Sequence, residues 1–220
     1  MNYGQLWANL IALLNRRDCT TDQAKSFIQN ALTRINRELR CPAMEKTVVA
    51  TIGSGYTGLT IPSDFLELIN LIPVSQTYDQ RRLTKCDISL AKQLAINVGS
   101  PAKYCREGPQ WIIGPAPAEG DQIQIDYYAE IGALTNDSDT NVISIIASDL
   151  IIYCALSYAA DFFSDKRGDK WESRYQQIRN QLQIMADDDE ESGAVQVQPA
   201  YAYPDELGDY WYPYGSLPVF

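Results

Sequence analysis

Gly53, Gly55 and Gly58 stand in the spacing G-x-G-x-x-G, which at the start of a helix lets backbone amides cradle a pyrophosphate. Here the segment runs on into Leu59, Thr60, Ile61 and Pro62, an extended stretch rather than a helix, so the glycines read as a hairpin loop. Asp137, Asp139 and Asn141 place oxygens at alternate positions, as a calcium loop does. Such a loop needs glycine at its sixth place and glutamate at its twelfth, where Val142 and Ser148 stand, so the segment reads as a polar turn capping the next helix. The chain has no histidine, which takes away the commonest general base and the most frequent neutral metal ligand. Cys19, Cys41, Cys86, Cys105 and Cys154 are widely separated, without a C-x-x-C pair, and read as reduced, mostly buried thiols. Paired carboxylates of the glycosidase kind need a defined cleft, whereas the acidic residues gather at helix starts, turns and the C-terminal end. The sequence therefore assigns no catalytic residue, no cofactor and no metal ligand, and the reading is of a protein that is not an enzyme.

What remains is the chemistry of contact. Residues 187–220 hold eight acidic groups and seven aromatic rings but neither Lys nor Arg. Asp187, Asp188, Asp189, Glu190 and Glu191 repel one another, and Pro199, Pro204, Pro213 and Pro218 block a long helix or a central strand. Tyr201, Tyr203, Tyr210, Trp211, Tyr212, Tyr214 and Phe220 carry large apolar faces that are costly to leave in water and suit an interface. The segment reads as an extended tail that is mobile in the free subunit and fixed on a partner. Arg34, Arg37 and Arg40 share one helix flank and form a second candidate contact, for acidic groups of an adjacent subunit; the alternative is a solvated face.

The elements behind these groups follow from periodicity. At 220 residues and 45% hydrophobic, the chain can fill a sizeable core. The net charge of −10 falls mostly in residues 187–220, leaving the rest near neutral, which disfavours tight phosphate binding but suits a surface that nucleic acid slides past. The N-terminus lacks a basic segment followed by an apolar run, so no signal peptide is expected. The apolar window 142–163 contains Ser144, Asp149 and Asp161 and predicts a buried helix rather than a membrane span. Residues 5–40 predict a helical hairpin, with Thr20 and Gln23 as a capping box. Residues 47–52, 59–61, 66–74, 103–107, 110–114 and 122–129 predict antiparallel strands, with a short helix over 87–96. Helical spacing returns over 142–164, and Asp169 and Glu172 suggest a capped helix that runs to the acidic tract. The expected fold is α+β, mainly α: a four-helix bundle with an antiparallel β-rich insertion between the helix pairs and an extended C-terminal tail. Its expected divisions are 1–41 and 141–186 for the helix pairs, 42–140 for the insertion and 187–220 for the tail.

Several stretches together resemble tailed-bacteriophage head-to-tail adaptor proteins: Ala31 to Leu39, Ile61-Pro62-Ser63-Asp64-Phe65-Leu66-Glu67-Leu68, and Gly99-Ser100-Pro101-Ala102-Lys103-Tyr104. Trp111-Ile112-Ile113-Gly114-Pro115-Ala116-Pro117, Tyr127-Tyr128-Ala129 and Trp171-Glu172-Ser173-Arg174-Tyr175 continue the resemblance in order, and residues 187–220 lie outside it. The resemblance implies a structural neck protein of the virion, present in the host cytoplasm during assembly. It would bind beneath the portal protein as a ring of roughly twelve subunits, dock a tail or nozzle protein, and let genomic DNA pass through its channel without specific binding. Two rival readings stand beside it: a virion-associated peptidoglycan hydrolase, and a carbohydrate-binding module that stacks sugars on the aromatic tail.

Overall fold

The computed structural model of the protein describes residues 1–74 and 81–191. In chain order, α1 (Tyr3–Leu14) and α2 (Thr21–Glu38) lead through a 3-10 turn at Pro42–Met44 into β1 (Glu45–Thr51), β2 (Leu59–Thr60) and β3 (Phe65–Val74). Then come β4 (Thr84–Lys85), α3 (Ile88–Leu94), β5 (Lys103–Glu107), β6 (Gln110–Gly114) and β7 (Gln122–Ala129). The chain returns to helix in α4 (Val142–Ile146), α5 (Ser148–Phe163) and α6 (Gly168–Glu191).

The helices start where side chains can satisfy their first amides. Asn2 with Gln5, Thr20 with Gln23 and Asn141 with Ser144 each form a reciprocal capping box. The Asn141 box ends the polar turn in which Asp139 accepts from the Thr135 and Asn136 amides at 2.9 and 2.7 Å. Helix α5 is the hub: it packs against α1, α2, α4 and α6, and Leu150, Ile151, Cys154, Ala155 and Leu156 on several of its sides are fully buried.

The strands form two sheets. One has the order β1-β7-β3, antiparallel, with Val48 and Leu71 both opposite Ile125. The other has the order β2-β6-β5-β4, in which the short β4 lies parallel to β5. Alternation along β7 gives its faces to different cores. Ile123, Ile125 and Tyr127 pack with Trp111 and Ile113 of the second sheet, while Tyr128 turns to the helices and joins their core. Helix α3 closes on the outer face of β6 at Gly114, where a Cβ would stand 2.6 Å from Leu94 Cβ; the close approach requires glycine.

The α+β class holds, but a four-helix bundle with an appended insertion is not what forms. Among the described residues there are six α-helices and seven strands in two sheets. The expected single helix over 142–164 is broken at Ala147, whose backbone (φ −138°, ψ 60°) is not helical, so α4 and α5 are separate. The strands also build their own core around Trp111, Ile113, Ile123 and Tyr127 and touch the helical core through Tyr128 of β7 and Leu66 and Ile69 of β3, so they form a structural layer. Helix α6 continues through Glu191, so residues 187–191 are helical.

Candidate assembly interface

The expected row of Arg34, Arg37 and Arg40 is divided by the fold: Arg34 and Arg37 lie on α2, whereas Arg40 follows its extended C-cap Leu39. Arg34 forks onto Glu172 of α6, Nη1 to Oε2 at 2.9 Å and Nη2 to Oε1 at 2.6 Å, and its Nε donates to Glu38 Oε1 at 2.9 Å. Its guanidinium lies 4.5 Å from the ring centre of Tyr175, a fully buried residue whose hydroxyl donates to Glu38 Oε2 at 2.7 Å. Arg179 approaches the same carboxylate oxygen at 3.5 Å. The hydrogen bonds from Arg34 hold the Glu172 carboxyl down to about 2, while burial and the acceptor Glu38 push the Tyr175 hydroxyl well above the usual phenol range. This bidentate, aromatic-backed cluster fastens α2 to α6.

Arg40 is also held within the chain. Its Nη1 donates to the carbonyls of Asn36 and Leu39 at 2.9 and 2.6 Å, capping the end of α2, and its Nε donates to Glu67 of β3 at 3.1 Å. Arg37 is exposed in the last turn of α2 with no carboxylate partner among the described residues, where its charge suits the helix dipole. Tyr201, Tyr203, Tyr210, Trp211, Tyr212, Tyr214 and Phe220 lie outside the described residues.

Sequence reasoning passed over a second set of cations. Arg167, in the turn before α6, and Lys170 and Arg174 on one flank of α6 stand three and four residues apart on the rim of a groove of about 720 Å³ floored by Leu13, Leu156 and Trp171. The Arg167 guanidinium lies 4.6 Å from the Trp171 ring centre and is tethered by Asp165 at 2.7 Å and by the Leu14 carbonyl at 2.8 Å. Lys170 and Arg174 are exposed and have no carboxylate partner among the described residues. The spacing of these cations around Trp171 was the available signal. A smaller apolar groove of about 190 Å³ lies between Pro42, Ile146 and Met185, and the neighbouring Ile145 is 68% exposed.

The surface thus offers charged and apolar contact sites on helices whose inner faces are locked. Against this geometry, the family model for the SU10 adaptor protein matches residues 1–199. The chain belongs to that family. The match spans every described element, and it agrees with the resemblance to head-to-tail adaptors drawn from the sequence motifs. This SU10-family adaptor is a structural protein of the phage type. No curated protein matches the chain at a significant level. No helix among the described residues is long and apolar enough to cross a membrane.

Proposed function

We propose that this adaptor forms a ring beneath the portal of a tailed phage, joins the portal to a tail or nozzle protein in the virion neck, and leaves a channel through which DNA passes. The observation that carries the reading is the family match across residues 1–199, which takes in the helical layer and both sheets. The charge distribution supports it: outside residues 187–220 acidic and basic groups nearly balance, so a channel lined by the body would exert little electrostatic hold on DNA. Arg34 and Arg40 are consumed by internal pairs, which leaves Arg37 as the member of the predicted flank placed to meet an adjacent subunit.

In this reading the chain works in two parts, a rigid body and the aromatic, Pro-rich residues 192–220. The body sets the spacing of the ring, and the tail is immobilised on the portal, a neighbouring adaptor or a tail component during assembly. Ordering so many residues is costly, so Trp211 and the tyrosines beside it act as the anchors while other tail positions matter little. The test is sedimentation of the full-length protein with and without purified portal rings. A monomer or small oligomer that becomes a stoichiometric layer on the portal, and loses that layer on Trp211→Ala, is the expected result. No association with the portal at any concentration would contradict the proposal.

A further inference from the structure

We infer that the groove between α1, α5 and α6 is the receptor for the acidic aromatic C-terminal segment of a second copy of this chain. The inference rests on the reading that the tail is an assembly element, and it names the surface that the tail meets. The groove pairs an apolar floor, Leu13, Leu156 and Trp171, with a cationic rim, Arg167, Lys170 and Arg174. Leu13 is a large apolar side chain left 50% exposed, while Lys170 and Arg174 are exposed cations that form no ion pair with a carboxylate among the described residues. A pure anion site would not need that floor, and a pure apolar site would not need that rim.

The tail has the complementary chemistry. Asp205, Glu206 and Asp209 stand beside Tyr203, Tyr210 and Trp211, and no Lys or Arg occurs beyond Arg179. A segment that alternates carboxylates with rings can set rings on Leu13 and Trp171 while its carboxylates meet Lys170 and Arg174. Arg guanidinium groups also stack on aromatic faces, so the rim contacts rings as well as carboxylates.

Reach is sufficient. The groove lies near the start of α6 and the tail leaves from its end, roughly 30 Å away at 1.5 Å per residue. Residues 192–220 span up to about 95 Å when extended, enough to cross to a neighbouring body. A donor segment and an acceptor groove at different places on one surface make a head-to-tail contact, and such contacts close into rings when repeated by rotation. The locked inner face of α6, held by Arg34 to Glu172, keeps the acceptor rigid and so lowers the ordering cost on that side.

The test is binding of a fluorescent synthetic peptide spanning residues 199–220 to the full-length protein, followed by anisotropy, with photo-crosslinking from position 211. Saturable binding is expected, crosslinking to residues 153–177, and affinity is expected to fall about tenfold in the Lys170→Glu, Arg174→Glu double variant and with added salt. The Trp211→Ala peptide should lose a similar amount. Absence of saturable binding, crosslinks outside the groove, or affinity unchanged in the double variant overturns the groove assignment. Weakened DNA retention in the double variant with peptide affinity unchanged also overturns it, in favour of a nucleic-acid contact. Portal sedimentation of the full-length Trp211→Ala protein is read separately: lost portal binding with unchanged peptide affinity in the double variant sinks the groove alone, and unchanged portal binding sinks the tail reading itself.

Discussion

The two flanks of α6 use the same residue types for opposite ends. On one, Glu172, Tyr175 and Arg179 meet Arg34 and Glu38 in a partly buried cluster joined at 2.6 to 3.5 Å. On the other, Lys170 and Arg174 stand over Leu13 and Trp171 with no carboxylate partner among the described residues. Cations that close a bidentate pair against an aromatic face contribute to the fold, and removing one partner leaves the other desolvated. Exposed cations without a carboxylate partner among the described residues contribute little to the fold, so their placement beside Leu13 and Trp171 speaks to what the surface meets.

The comparison can be broken most easily at the locked flank. Tyr175→Ala empties a fully buried ring site and removes one of the donors to Glu38, and should cost about 3–5 kcal/mol by urea unfolding. Arg34→Ala leaves Glu172 and Glu38 without their shared cation and should cost about 2–3 kcal/mol in the same measurement. A cost below about 0.5 kcal/mol for either would show that the cluster is ornamental.

Acid sharpens the contrast. Glu172 is held at about 2, below the ordinary value of 4.5, so its contribution is fully present above 4.5 and is lost as pH falls toward 2. Because that side chain is 36% exposed, solvent screening trims the effect to roughly 1 kcal/mol, visible as an acid limb in stability against pH that flattens in Arg34→Ala. The smallest effects belong to the open surfaces. Lys170→Ala, Arg174→Ala and Arg37→Glu should each shift unfolding by less than about 0.5 kcal/mol, while Arg37→Glu should weaken ring formation and alter its salt sensitivity. Ring formation by Arg37→Glu that matches the wild type at every salt concentration removes Arg37 from the interface.

Much of the layout is legible in the residues. The Thr20 and Gln23 pair announces the start of α2 because its chemistry is local, and the alternation of Ile123, Ile125 and Tyr127 announces β7 because one buried face demands it. Long-range partners leave no such mark. Glu172, three residues after Asp169, fits a capping box equally well, and only the fold brings it to Arg34, 138 residues away in sequence. The break at Ala147 leaves little mark because helical apolar spacing runs on across it from Ile143 and Ile146 to Leu150 and Ile151, and alanine is at home in either helix. Strand spacing likewise tells which way Tyr127 and Tyr128 point without telling that one faces a second sheet and the other the helices. The bundle expectation fell short there, because the strands gather Trp111, Ile113, Ile123 and Tyr127 into a second core of their own instead of hanging on the helices as an insertion. For the interface, Arg34, Arg37 and Arg40 were readable as a row of charge, and which of the three lacks a carboxylate partner among the described residues was not, since that depends on Glu67 and Glu172.

The most direct measurement sets the two flanks against each other in one experiment: unfolding and portal sedimentation of Arg34→Ala and of the Lys170→Glu, Arg174→Glu double variant, both full length. Arg34→Ala should lose stability yet still form its layer on the portal under folding conditions, while the double variant should unfold like the wild type and form that layer poorly. The same loss of assembly in both variants, or none in the double variant, would contradict the division between a flank that holds the body together and a flank that meets its partner.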